Sequence, residues 1–145
     1  MKKFKLTSEF IVDISGVKLF RIKALIEFGN VKAGDLGGYI EKEENLSHMG
    51  NAWVSGNAQV SGDAQVFGDA RVSGDKDYAY AHGFGSCNRT TTFFRLKDGD
   101  VGVRCGCFYG TLAQFRDKVC ETHGETKKAQ EYLMLADLMD FRFKN

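Results

Sequence analysis

The sequence predicts a mainly β protein organised around a short parallel solenoid, and three observations lead to this class. A six-residue repeat runs without a gap over residues 51–74. Apolar and polar residues alternate on both sides of that repeat, which is typical of half-buried strands. The chain of 145 residues contains 17 glycines and no proline, a composition that excludes collagen and proline-rich linkers.

Composition and charge restrict the functional classes. A hydrophobic fraction of 43% and a charged fraction of 27% predict a folded chain of one domain, or of one domain with a small appendage. The formal net charge of +1 excludes a general nucleic-acid binder and an acidic DNA mimic. Asp13 and the turn-like Ser15-Gly16 interrupt the apolar N-terminal residues, so we expect neither a membrane span nor a secretory signal. Four cysteines without such a signal favour the reducing cytoplasm.

Each repeat reads [Asn/Asp]-Ala-x-Val-x-Gly, where x is any residue. A period of six fits neither a helix nor a hairpin meander, and it predicts one short strand and one corner per repeat. The repeat valines should stack inside the solenoid and the repeat alanines should fill the corners; they are Val54, Val60, Val66 and Val72, and Ala52, Ala58, Ala64 and Ala70. The array begins near Gly37 and fades after Asp75. Even counted from Gly37 to Tyr80, it gives only about two coils and therefore requires caps or partner subunits.

This array resembles the hexapeptide-repeat superfamily. The stretch Phe28-Gly-Asn-Val-Lys-Ala-Gly-Asp-Leu-Gly-Gly-Tyr-Ile-Glu, running into Glu44-Asn-Leu-Ser, also resembles small bacterial and phage proteins with this repeat. The resemblance implies a left-handed parallel β-helix with three hexads per triangular coil. Together with the patterns of the two flanks, described next, this predicts an N-terminal β cap (1–35), the β-helix (36–80) and a C-terminal module (81–145). The superfamily includes acyltransferases, binding proteins and scaffolds, so the fold alone does not supply the function.

The N-terminal flank predicts a β cap. Phe10, Val12 and Ile14 alternate with polar residues, and a two-residue turn at Ser15-Gly16 would pair Ile14 with Val17. That register would place one apolar face, containing these three side chains, on the solenoid.

The C-terminal flank predicts a hairpin and two helices. Strands 90–96 and 101–108 flank Asp98-Gly99, a strong hairpin signal. With a two-residue loop, one face carries Leu96, Phe94, Val101, Val103, Cys105 and Cys107, and the other carries Arg95, Phe93, Thr91 and Arg104. A capping box of Thr111 and Gln114 begins the first helix, and Gly124 ends it. The second helix, about 126–143, is too apolar for one buried stripe, so we expect part of it to contact another subunit.

Three kinds of chemistry are open. Zinc would require Cys105, Cys107, Cys120 and His123; the alternative is that the cysteines are small core residues. A cysteine nucleophile with His123 as base is a second hypothesis, although no strained elbow accompanies it. The resemblance to acyltransferases indicates His48 as a general base, since it stands at a valine position of the repeat, with His82 second. The array, however, lacks an inserted loop and is short for a pantetheine groove.

An anion site is the fourth hypothesis. The candidate residues, which supply hydroxyls, an amide, guanidinium groups and free backbone N–H groups, are Ser86, Asn88, Arg89, Thr91, Arg95, Arg104, Gly110 and Thr111. The alternative is that the threonines merely favour strands and that the arginines are solvated.

We therefore predict a non-enzymatic, homo-oligomeric binding protein, a dimer or a trimer, with no required cofactor. Its ligand would be an anionic, nucleotide-like small molecule. The resemblance to phage and prophage proteins implies a role in the host cytoplasm against a defence system, by trapping a signal or by binding a host immune protein. The alternatives are a hexapeptide acyltransferase-like enzyme and a purely structural scaffold.

Overall fold

The computed structural model describes residues 2–74, 77–83, 90–105 and 108–144, and its fold is mainly β. The strands are β1 (Phe4–Val12), β2 (Lys18–Ala24), β3 (Leu36–Ile40), β4 (Trp53–Val54), β5 (Gln59–Val60), β6 (Arg71–Val72), β7 (Tyr78–His82), β8 (Thr90–Arg95), β9 (Val101–Cys105) and β10 (Phe108–Thr111). A 3-10 turn spans Glu43–Asn45, and the helices are α1 (Leu112–His123) and α2 (Lys127–Phe143).

The predicted left-handed parallel β-helix is wrong. The described strands form three separate sheets: a mixed sheet in the order β1-β2-β3-β5, an antiparallel sheet in the order β10-β9-β8-β7, and the parallel pair β4-β6. The parallel ladders of the repeat are only two residues long, whereas the flanking strands are longer and pair antiparallel. The flanking strands therefore determine most of the sheet structure, and no closed parallel helix forms in the described part of the chain.

The repeat segment, residues 36–72, nevertheless forms two stacked passes, the first over residues 36–54 and the second over residues 59–72. Tyr39 and Ile40 pair with Gln59 and Val60, and Trp53 and Val54 pair with Arg71 and Val72. The four repeat valines and the four repeat alanines are buried as expected. The first pass is bordered by β2, which pairs with β3, and the second pass is bordered by Leu96, which bridges Ala70.

The repeat phase slips at one corner. Leu46 bridges Val66, so it occupies the valine position of the first pass. Seven positions then separate Leu46 from Trp53, whereas five separate Val66 from Arg71. The corner at 47–51 is thus two residues longer than the equivalent corner after Val66. As a result, His48 does not occupy the inward valine position that counting back by six from Val54 predicts.

The N-terminal hairpin has a different register from the predicted one. Val12 pairs with Lys18, so Ile14 does not pair with Val17. The Asp13 carboxylate accepts hydrogen bonds from the backbone N–H groups of Ser15 and Val17, and Gly16 has a φ of 86°. This turn holds three residues instead of two. Phe10, Val12 and Ile14 are exposed, whereas Leu19, the partner of Ile11, is buried.

The C-terminal hairpin contains the same turn. Gly99 N donates to Leu96 O, Leu96 N donates to Asp100 O, and Arg95 pairs with Val101. The predicted faces are therefore wrong. Phe93 and Val103 pack against the helices, while Phe94 joins the core of the repeat segment.

The helix predictions are confirmed. Thr111 is the N-cap of α1 and forms the capping box with Gln114, and Gly124 is the C-cap. α2 follows the N-cap Thr126. Neither helix in the described part of the chain is long and apolar enough to cross a membrane. The two helices cover one face of β7–β10, and the repeat segment covers the other.

Candidate functional site

The clearest candidate site is a pocket on the outer surface of the repeat segment. Val54 and Val72 point inward, so the preceding residues, Trp53 and Arg71, point outward as neighbours on the β4-β6 pair. The loop 28–36 lies over them and leaves an open cavity of about 360 Å³. We call it the Arg71 pocket; its lining residues are Asn30, Val31, Asp35, Leu36, Trp53, Ser55 and Arg71.

A tight turn builds the wall of the Arg71 pocket. Phe28 and Val31 exchange backbone hydrogen bonds, and the Phe28 ring packs edge-on against the Trp53 ring at 5.3 Å. Gly29 has a φ of 51°, and a Cβ atom at this position would lie only 2.9 Å from Nη2 of Arg71. Glycine therefore permits both the turn and its close approach to the guanidinium group.

Arg71 has no counter-ion among the residues that the structure describes. Its Nε is buried and has no hydrogen-bond partner, and among the described residues no carboxylate forms an ion pair with it. Asp35 lines the same pocket, but its Oδ2 already accepts a hydrogen bond from Lys32 N. Because Arg71 lines an open pocket and forms no ion pair with the described residues, its guanidinium group could bind an anion there.

A second cation increases the positive potential near Arg71. Lys3 is only 1% exposed, and its Nζ donates to Ala52 O at 2.7 Å and to Gly50 O at 3.3 Å. Burial, and then repulsion by Arg71, lowers the pKa of Lys3 to about 8. Lys3 is therefore still mostly protonated at pH 7, and an anion bound at Arg71 would relieve this repulsion.

The predicted arginine cluster does not assemble. Arg95 and Arg104 lie on opposite faces of the β7–β10 sheet, because β8 and β9 pair one residue out of the predicted register. Arg95 forms an ion pair with Asp77 at 3.1 Å and donates to Phe143 O. Arg104 stacks on the Phe67 ring at 4.4 Å and donates to the Gln65 side chain.

The remaining residues of the predicted anion site do not complete it. Thr91 is buried and donates to Sγ of Cys105. The amide of Thr111 donates to the Gln114 side chain, so the capping box uses one of the N–H groups that Gly110-Thr111 was expected to offer. Ser86, Asn88 and Arg89 lie outside the described residues.

His48 is poorly placed to act as a general base. Its Nδ1 accepts a hydrogen bond from Lys3 N at 3.0 Å, and its ring stacks on Phe4 at a centroid distance of 4.2 Å. The neutral ring must therefore carry its proton on Nε2, which lies 3.4 Å from Glu43 Oε1. No free lone pair remains to accept a substrate proton. His82, the second candidate, is exposed, and its Nδ1 lies 2.8 Å from the Thr90 hydroxyl.

The cysteines give no metal-like arrangement in the part of the chain that the structure describes. Cys105 contacts the Tyr132 hydroxyl, Cys120 is exposed on α1, and the His123 ring packs near Tyr132. Cys107 lies outside the described residues. Within the described ranges, no group of three or more His, Cys, Asp or Glu side chains could hold a metal ion.

The sequence contained a signal for the Arg71 pocket that the analysis of valines and alanines missed. Trp53 and Arg71 both occupy the first x position of a hexad, and they stand three hexads apart. A three-hexad spacing places two outward side chains next to each other, so a tryptophan beside an arginine could have been predicted. That the loop 28–36 covers this pair could not have been predicted from the repeat.

Comparison with known proteins adds no family. The chain matches no protein-family model, and a search of curated proteins gives no match. Its likeness to hexapeptide-repeat proteins therefore stays a prediction from the repeat itself.

Proposed function

We propose that the protein is a non-enzymatic binding protein that holds an anionic ligand in the Arg71 pocket. The observation that carries this proposal is that Arg71 lines the pocket and forms no ion pair with the described residues. A phosphate or carboxylate oxygen at the guanidinium group would compensate the positive charge that Arg71 shares with Lys3.

The pocket favours a nucleotide-like anion over a bare ion. Its volume of about 360 Å³ exceeds that of one phosphate group and lies in the usual range for small-molecule sites. Asn30 and Ser55 add side chains that can donate or accept hydrogen bonds, and Asp35 adds an acceptor for an amino group. The proposed ligand therefore carries a phosphate at Arg71 and a polar ring toward Asn30 and Asp35.

Calorimetric titration tests the proposal with inorganic phosphate, AMP, cyclic nucleotides and ADP-ribose. We expect Arg71→Gln to weaken binding by about ten- to a hundredfold, because one or two charge-assisted hydrogen bonds are lost. Arg116→Gln is the matched control, since Arg116 lies on α1 in an exposed ion pair with Asp137. Equal binding by all three proteins, or binding by none, would refute the Arg71 site.

The same titrations separate the alternatives. The hexapeptide acyltransferase-like enzyme requires binding of acetyl-CoA and turnover that depends on a histidine. The hydrogen bond that Nδ1 of His48 accepts disfavours His48 as that catalytic base. Failure of every ligand would leave the structural scaffold. Tighter binding of cyclic signalling nucleotides than of AMP would support the proposed role against a host defence system in the cytoplasm.

A further inference from the structure

Asp35 is the second charged side chain of the Arg71 pocket, and its neighbours hold it in place. Its backbone N–H donates to Lys32 O at 2.9 Å, and its backbone carbonyl accepts from Ala24 N at 2.9 Å. Oδ2 of its carboxylate accepts from Lys32 N, also at 2.9 Å. The turn 32–35 therefore preorganises the Asp35 carboxylate at the pocket, which lowers the cost of binding a ligand there.

The Asp35 carboxylate keeps most of its capacity to accept hydrogen bonds. An ionised carboxylate has about four acceptor positions on its two oxygens, and the bond from Lys32 N uses one of them. Asp35 is exposed, and within the described chain it forms no ion pair with Arg71 or with any other cation. Since a carboxylate accepts and cannot donate, Asp35 selects a ligand group that carries N–H donors.

Arg71 and Asp35 give one pocket two groups of opposite charge that do not pair with each other. A complementary ligand therefore carries an anion for Arg71 and N–H donors for Asp35. The apolar lining residues are Val31, Leu36 and Trp53, and Leu36 is 57% exposed. An exposed leucine that follows Asp35 in the chain offers a surface for the face of a flat ring, as apolar residues do in small-molecule sites.

Among the common bases, guanine has the edge that matches a carboxylate. Its N1–H and its 2-amino group are adjacent donors, so together they can bind the two oxygens of Asp35. The other bases place an acceptor beside the donor. In adenine this acceptor is N1, whose lone pair would face a carboxylate oxygen, and such a mismatch is how a polar site rejects the wrong ligand.

We propose that the Arg71 pocket is specific for a guanine nucleotide, with its phosphate at Arg71 and its guanine edge at Asp35. This inference rests on the proposed function, because it requires an anion at Arg71. It adds the identity of the base and assigns the choice of base to Asp35.

Calorimetric titration of the full chain with GMP, IMP and AMP tests the specificity. GMP should bind about ten- to a hundredfold more tightly than AMP, because AMP loses one charge-assisted hydrogen bond and gains a repulsion. IMP should lie between them, since it keeps N1–H and lacks the 2-amino group. 2-Aminoethyl phosphate has an ammonium group in place of the base, and it should bind more weakly than GMP because it leaves the apolar lining uncovered.

Asp35→Asn tests the residue itself. The amide oxygen can still accept from Lys32 N, so the melting temperature should stay unchanged. The affinity for GMP should fall at least about tenfold and the affinity for AMP by less than about threefold, because an amide can donate to N1 of adenine. Asp117→Asn is the matched control, since it makes the same change of net charge at an exposed position of α1 and should alter neither affinity.

The outcomes separate this inference from the proposed function. Equal binding of GMP and AMP, a preference for GMP that Asp35→Asn leaves unchanged, or tighter binding of 2-aminoethyl phosphate than of GMP would overturn the guanine assignment. If Arg71→Gln still weakened binding in those cases, the anion site itself would stand. Binding of no nucleotide, or binding that Arg71→Gln does not weaken, would overturn both.

Discussion

The side chain of Asn45 joins the two passes of the repeat segment, and the change Asn45→Asp tests that connection. Asn45 is fully buried. Its Oδ1 accepts hydrogen bonds from Glu41 N at 3.1 Å and Lys42 N at 2.9 Å. Its Nδ2 donates to Gly62 O at 3.1 Å and Ala64 O at 2.9 Å. Each atom of the amide thus serves a different pass.

Aspartate at position 45 keeps the shape and the two accepted bonds but loses both donated bonds. Each carbonyl left without a donor costs about 1 to 3 kcal/mol, and the carbonyl of Ala64 is the more buried of the two. We therefore expect Asn45→Asp to lower the free energy of unfolding by about 3 kcal/mol at pH 7. Burial among carbonyl oxygens should raise the pKa of the new carboxyl above its unfolded value, so the loss should shrink as the pH falls.

Urea denaturation followed by far-UV circular dichroism measures this loss. The matched control is Asn57→Asp, because Asn57 is exposed and its equivalents in the next two hexads are already Asp63 and Asp69. The control should change the free energy of unfolding by less than about 0.5 kcal/mol. A loss below about 1 kcal/mol for Asn45→Asp, or one equal to that of the control, would refute the role given to Asn45.

Two further predictions concern the surroundings of Arg71. Gly29→Ala should lower the free energy of unfolding by about 1 kcal/mol, because Gly29 has positive φ. It should also weaken ligand binding, because an added Cβ would crowd Arg71. Urea denaturation and calorimetry measure the two effects, and unchanged values for both would contradict the prediction. The folded pKa of Lys3, about 8, lies below its ordinary 10.5, so the cost of burying its charge is fully present below pH 8 and is lost as the pH rises to 10.5. Lys3 should therefore add up to about 3 kcal/mol of stability over that interval. Urea denaturation at several pH values should show this rise in the wild type and not in Lys3→Met.

Local signals in the sequence predicted local structure well. The ends of α1 follow from Thr111, Gln114 and Gly124, because capping depends on a few neighbouring residues. The burial of Val54 and its equivalents follows from the repeat alone. These predictions needed no knowledge of how distant segments meet.

Register and sheet order depend on longer-range choices. Ser15-Gly16 and Asp98-Gly99 both suit a two-residue turn, yet each glycine ends a three-residue turn. A shift of one residue reverses the faces of a strand, which explains why Arg95 and Arg104 are separated. The six-residue period likewise gives the spacing of the short strands but not the antiparallel partners that join them. The Arg71 pocket escaped prediction because its cover comes from outside the array.

The borders of the repeat segment have an evolutionary consequence. New hexads cannot be appended at either end, since β2 already pairs with the first pass and Leu96 already bridges the second. The array can lengthen only from within. A single inserted hexad between Val54 and Arg71 would move Arg71 away from Trp53 and abolish the pocket. Three inserted hexads would add one complete pass, but that pass would lie between Trp53 and Arg71 and separate them. Homologues that retain the ligand should thus keep the spacing of 18 residues between Trp53 and Arg71.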